Sequence, residues 1–270
     1  MLRVSTVTLE SGLRLSYAEH GAESGPLALL LPGPTDSWRS YEPVLDRLTP
    51  QIRAIALSQR GHGDSDKPEG GYQIGDFAAD VVQFLDALAI DRAVLAGHSA
   101  SCLIARRVAI DHPERVAGLI LEASPTSLRS DVAFQGFVNS VVLNLNDPIS
   151  QDFARSFVVG TSSEDMAPEV VDQFVDELLK VPARVWRAMF SGLLKYDDVA
   201  ELTRITATTL LIWGDADALV PRAMQDILAT RIPAAELTVY SGVGHTPRWD
   251  DPQRFSEDVA AFVEEVRRGV

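Results

Sequence analysis

Apolar residues follow two alternating rhythms along this chain. Short, nearly continuous runs at Pro26–Leu31, Ile52–Leu57, Ala93–Ala96, Val116–Leu121, Thr208–Trp213 and Glu236–Tyr240 read as strands buried on both faces. Between them, apolar residues at helical spacing predict helices at about 37–48, 76–89, 100–111, 221–230 and 251–267. The third of these ends before Pro113 and the fifth opens near Pro252, as proline chemistry requires. At the start, residues 3–9 and 13–19 alternate polar and apolar positions around Ser11-Gly12, which predicts an antiparallel hairpin. Strand and helix in regular succession predict an α/β fold, a mostly parallel sheet covered by helices on both faces.

The rhythm breaks once. Residues 126–203 contain no convincing strand, while their Val, Leu, Phe and Trp residues recur at helical spacing. The segment reads as a helical insertion dividing a core of 1–125 and 204–270. Placed after the strand ending near Leu121, it is positioned to fold as a cap over the carboxyl ends of the strands, where open α/β sheets bind ligands; the alternative is that it extends the outer helical layer. Phe134, Phe137, Trp186 and Phe190 within it are expected to hold it to the body.

Composition narrows the partners. With 46% hydrophobic and 23% charged residues, 270 residues are enough for a substantial core. A net charge of −14 argues against nucleic acid and against an anionic membrane surface. The N-terminus lacks the apolar core of a signal peptide, no stretch has membrane-spanning length, and the single Cys102 forms no internal disulfide, so the expected location is the cytoplasm. Nothing in the sequence assigns an oligomeric state.

Chemistry concentrates at Gly97-His98-Ser99-Ala100-Ser101, which joins the strand at Ala93–Ala96 to a helix. A serine at the apex of a strand-turn-helix needs small neighbours two residues to either side, and it projects its hydroxyl above the sheet. Gly97 and Ser101 are small, and Ala100 opens the helix with its N–H facing any developing oxyanion. A serine hydroxyl needs a base. Of five histidines, His20, His62, His98 and His112 lie on strand ends, turns or a helix end away from the hydroxyl, whereas His245 lies in a loop just after the last strand, at the same sheet edge as Ser99. Two carboxylates follow the strand ending at Trp213. Asp217, farther along, has the freedom to reach His245, and Asp215 is expected to brace the turn. The order Ser, Asp, His suits a nucleophile, an orienting acid and a base.

These segments, with Ser58-Gln59-Arg60-Gly61-His62-Gly63-Asp64-Ser65, resemble the α/β-hydrolase fold superfamily over essentially the whole chain. The resemblance implies an eight-stranded sheet, a helical cap after the sixth strand, no metal, no cofactor, and catalytic roles for Ser99, Asp217 and His245. It implies hydrolysis of a small to medium ester or lactone. A carbon–carbon bond hydrolase or a perhydrolase would use the same three residues, and a non-catalytic ligand-binding protein is the alternative of another class. Ser at position 99 argues against dehalogenase and epoxide hydrolase chemistry, which in related enzymes uses Asp there. The sequence departs from the family pattern twice: Ser101 replaces a common Gly, and Leu31-Pro32-Gly33-Pro34-Thr35-Asp36 places Pro34, which has no N–H, at the second oxyanion-hole position. Thr35, through its N–H or its hydroxyl, or a water is the expected substitute; alternatively the prolines only stiffen the loop. Trp38, His98 and Trp249 are candidate pocket residues.

Overall fold

The structure, a computed structural model, describes residues 2–162 and 166–269, so residues 163–165 of the predicted insertion lie outside the described residues. Eight strands form one sheet: β1 (Arg3–Thr8), β2 (Arg14–His20), β3 (Leu27–Leu31), β4 (Arg53–Leu57), β5 (Ala93–His98), β6 (Val116–Glu122), β7 (Thr209–Gly214) and β8 (Ala235–Tyr240). Their spatial order is β1-β2-β4-β3-β5-β6-β7-β8. β2 pairs antiparallel with β1 and β4, and all other neighbours are parallel. The predicted strands all form, with ends shifted by a residue or two.

Pleating sorts each strand between two apolar layers. In β3, Leu27, Leu29 and Leu31 enter one cluster while Ala28 and Leu30 enter the other. The second face carries small side chains, including Ala54, Ala56 and Ala96, and a Cβ at Gly118 would lie only 2.8 Å from Val266. Small residues thus let a helix lie close against this face. The helices of the body are α1 (Glu42–Leu45), α2 (Ile74–Ala87) and α3 (Ser101–Asp111). The insertion supplies α4 (Val132–Ser140), α5 (Gln151–Gly160), α6 (Pro168–Leu179) and α7 (Ala183–Leu193), and the body resumes with α8 (Arg222–Arg231), α9 (Pro247–Asp250) and α10 (Pro252–Arg268). Residues of α1 and α10 cover the alanine-rich face, and those of α2, α3 and α8 cover the other.

One predicted helix is corrected. Residues 37–48 divide into a 3₁₀ turn, Trp38–Tyr41, and the single turn α1. Pro43 lies in the middle of the expected span, where it has no N–H to continue a regular ladder.

The segment between β6 and β7 is helical, with no strand among the described residues. Its aromatic residues pack chiefly on one another: Trp186 stacks on Phe190 with ring centroids 5.2 Å apart, Phe157 meets Trp186 edge-on at 4.9 Å, and Phe134 stacks on Phe190 at 5.8 Å. They pack within the insertion, in the same apolar cluster as residues of β3, α2 and α3. Phe174 of α6 stacks on Trp249 of α9 at 4.1 Å, and at the other end α7 packs so tightly that a Cβ at Gly192 would meet the Tyr72 carbonyl at 2.7 Å. The insertion therefore touches the body at Trp249, in α9, and at Tyr72, just before α2. Both of its roots are held by one fully buried side chain of α3. Arg106 donates to the carbonyls of Pro125 (2.9 Å) and Thr126 (2.8 Å) where the insertion begins, and to the Asp198 carboxylate (2.6 and 3.1 Å) where it ends.

Candidate active site

The turn between β5 and α3 consists of Ser99 and Ala100. Ser99 has φ of 53°, a left-handed conformation that L-residues rarely adopt. Its N–H donates to the Glu122 carbonyl at the end of β6 (2.8 Å), which fixes the strained residue to the neighbouring strand. A Cβ at Gly97 would come within 2.8 Å of the Cys102 backbone, so this position requires glycine. Ser101 is accommodated, its hydroxyl donating to the Pro32 carbonyl at 2.6 Å. Cys102 is buried, and desolvation pushes its thiol up to about 12, which fits a filler and not a reactive group.

His245 reaches the same edge from the loop after β8. This loop lies directly on β7, since a Cβ at Gly214 would meet the Val243 carbonyl at 2.1 Å. Asp215 braces the loop by accepting from the Gly242 N–H (2.6 Å) and the Ser241 hydroxyl (3.1 Å). Asp217 behaves differently. Its Oδ1 accepts from the N–H groups of Leu219 (2.8 Å) and Val220 (2.9 Å), and its Oδ2 lies 2.9 Å from His245 Nδ1. His245 Nε2 is 2.9 Å from Ser99 Oγ. Because a carboxylate only accepts, Nδ1 carries the imidazole proton and Nε2 is left to accept the serine proton.

The α/β hydrolase fold family matches residues 26–252. The chain belongs to this family. A putative carbamate hydrolase from Variovorax paradoxus is 30% identical over 93% of this chain and 97% of its own length. Epoxide hydrolase 4 of Mus musculus is 27% identical over 96% of this chain and 79% of its own. Among solved structures, Est816, described as an N-acyl homoserine lactone degrading enzyme, is 28% identical with a TM-score of 0.81, covering 96% of this chain and 100% of that one. As an α/β hydrolase the chain is a hydrolase by family, and among its described residues no helix is long and apolar enough to cross a membrane.

The loop after β3 holds a second residue with positive φ. Asp36 N–H donates to the Gly33 carbonyl (3.2 Å), closing a turn with Pro34 at the second position and Thr35 at the third. Thr35 has φ of 73°, a value such turns normally give to glycine. A β-branched residue in this conformation stores about 1–3 kcal/mol of strain. Among the described residues, neither the Thr35 nor the Ala100 N–H has an acceptor. A narrow cleft with room for little more than one water lies beside Ala100, with Pro34, Ser101, Phe77 and Met189 among its walls.

The three candidate pocket residues are each fixed by packing and hydrogen bonds. Trp38 is buried in the apolar layer that also holds Tyr41 and α10. His98 is buried with its Nε2 3.0 Å from the His245 carbonyl, so it supports the histidine loop from below. Trp249 donates its Nε1–H to the Ser40 carbonyl (2.7 Å) and lies under Phe174. None of the three is among the walls of the cleft beside Ala100.

Sequence reasoning missed a buried ionic network. Arg248, three residues past His245, is fully buried; its guanidinium contacts Glu122 (3.2 Å), Asp36 (3.1 Å) and the Ser40 hydroxyl (2.7 Å), and lies over the rings of Tyr41 and Trp249. Its backbone N–H also donates to Glu122 Oε1 at 3.0 Å. Burial pushes the Asp36 carboxyl up to about 6 against the opposing pull of Arg248. The network joins the Thr35 loop, the strand end that holds Ser99 and the His245 loop.

Two buried histidines shape the acid stability of the fold. Desolvation lowers His62 to about 4 and His98 well below the usual imidazole range. From about pH 6.5 down to 4 the unfolded chain takes up these protons while the folded chain does not, so stability falls with falling pH. Asp36 acts in the opposite sense, because below about pH 6 the folded state binds its proton before the unfolded state does, and this offsets part of the loss. Urea midpoints measured from pH 7.5 to 4.5 should therefore decline, and His62→Asn should flatten the decline. An unchanged slope in that variant would contradict the assignment.

Proposed function

We propose that the protein hydrolyses a small to medium carboxylic ester or lactone through an acyl-enzyme on Ser99. The single observation that carries this reading is the continuous relay from Ser99 Oγ through His245 to Asp217, each link 2.9 Å long. Ser99 Oγ attacks the carbonyl carbon as its proton passes to His245 Nε2, and Asp217 stabilises the resulting imidazolium. His245 returns that proton to the leaving alcohol, or to the ring oxygen of a lactone. Water, activated by the same imidazole, then releases the acid. The Ala100 N–H and, in place of the missing Pro34 N–H, the Thr35 N–H receive the oxyanion. The insertion acts as a cap that limits access to this edge. Ser99 at the nucleophile position favours acyl chemistry over the epoxide opening named in one relative.

Labelling with a fluorophosphonate tests the reading, because only an activated serine reacts. We expect one adduct at Ser99, together with turnover on a panel of short p-nitrophenyl esters and lactones. Pro34 favours one second reading, a binding protein without turnover, and an unlabelled Ser99 would establish it.

The oxyanion assignment has its own test. Thr35→Gly keeps the amide, removes the hydroxyl and suits φ of 73°. Its kcat should stay within a few-fold of the parent. A fall of about 10²-fold or more, the usual effect of losing one donor, would assign the role to the hydroxyl instead.

A further inference from the structure

Two adjacent residues at the end of β5 hold His245, one at its side chain and one at its backbone. Its Nε2 lies 2.9 Å from Ser99 Oγ, and its carbonyl oxygen lies 3.0 Å from Nε2 of His98, the residue immediately before Ser99. A carbonyl only accepts, so His98 Nε2 carries the proton and donates it. Among the described residues no other group donates to that carbonyl. His98 is only 5% exposed, and burial, with the nearby charges of Arg248 and His245, keeps its ring neutral far below the usual imidazole range. Its bare Nδ1 lies against Gly33, where an added Cβ would come within 2.6 Å of it. The centroids of the two imidazoles are 5.0 Å apart, so a neutral His98 adds no repulsion when His245 becomes an imidazolium.

The two bonds differ in what the reaction does to them. Once Ser99 Oγ carries an acyl group it has no proton to give, and its bond to His245 Nε2 is lost. The bond from His98 is untouched. Deacylation still needs the same imidazole beside the ester: water attacks the acyl carbon as its proton passes to Nε2, the bond from that carbon to Oγ breaks, and Oγ takes the proton back. Asp217 holds the ring from the loop after β7, whereas His98 holds His245 from β5, the strand that leads to the ester. We propose that His98 is a positioning residue for this second half of the reaction, its Nε2–H keeping His245 in place while Ser99 is acylated. The proposal rests on the hydrolase reading above.

Rapid-mixing kinetics with p-nitrophenyl butyrate separate the two halves, because nitrophenol leaves in the first. His98→Phe keeps a ring against Gly33 and removes the N–H. Its deacylation rate should fall about tenfold or more, since a small displacement of a catalytic group is enough, while acylation slows by no more than a few-fold. A burst of one nitrophenol per chain should then precede a slow steady state, with KM falling alongside kcat. His98→Gln, whose amide N–H can donate to the same carbonyl, should restore most of the deacylation rate. An unchanged deacylation rate in His98→Phe, an equal slowing of both steps, or no recovery in His98→Gln would each overturn the proposal while leaving the hydrolase reading intact. Should the variants fail to fold, nitrogen NMR of the parent chain's histidines before and after fluorophosphonate labelling decides: His98 should keep its proton on Nε2 in both states, and a change of tautomer on labelling would overturn the proposal. No turnover on any ester, with no fluorophosphonate adduct, would overturn both readings.

Discussion

Ser99→Ala is expected to lower kcat on p-nitrophenyl butyrate by about 10⁶-fold, to the residual rate that binding and the oxyanion donors support. Without Oγ there is no acyl-enzyme, and His245 and Asp217 have no proton to relay. Asp217→Asn should do less, about 10⁴-fold, because the hydroxyl remains but the imidazole loses the acceptor that fixes its tautomer. The same residue links activity to stability. Ser99 holds φ of 53° against its intrinsic preference, and alanine there inherits the strain. Glycine does not, so Ser99→Gly should be equally inactive yet melt a few degrees higher, the relief of roughly 1–3 kcal/mol of strain exceeding the cost of glycine's unfolded freedom. A Ser99→Ala variant retaining even a hundredth of the parent rate would remove Ser99 from the mechanism.

The second large effect lies in the buried network. Arg248→Met should destabilise the fold by about 3–5 kcal/mol, read as a lower urea midpoint, because removing one partner leaves buried charge without compensation. Arg248 is fully buried and so is Glu122, with the guanidinium packed over the rings of Tyr41 and Trp249. Activity below the unfolding range should fall as well, by about 10²-fold, since the Thr35 loop, the strand end behind Ser99 and the His245 loop share this one anchor and misplacement by about 1 Å is enough. The double variant Arg248→Met with Glu122→Gln should recover part of the stability, because the unpaired charge is removed. It should recover little of the activity, because the three loops stay unjoined. Full stability in Arg248→Met alone would mean that the network is incidental.

Much of this architecture was legible in the sequence because it depends on patterns of short range. β3 and β5 are apolar runs bounded by proline or glycine, and the turn at Ser99 is announced by its small neighbours. Asp217 could be preferred over Asp215 from distance along the chain alone, in agreement with the 2.9 Å contact to His245. What the sequence leaves open shares a cause. Side-chain direction depends on tertiary packing, as at Trp38, His98 and Trp249. Arg248, Glu122 and Asp36 lie on three separate segments, so no local pattern connects them. The fracture of the helix predicted at 37–48 had a visible signal in Pro43, which amphipathic spacing outweighed.

The single guanidinium at the two roots of the insertion also bears on how such proteins diversify. Arg106 binds the chain where it leaves the body, at Pro125 and Thr126, and where it returns, at Asp198. The segment between touches the body again where Phe174 stacks on Trp249 and where Gly192 lies against Tyr72. A segment of different length, joined between Ser127 and Asp197, would meet the same guanidinium at both of its ends.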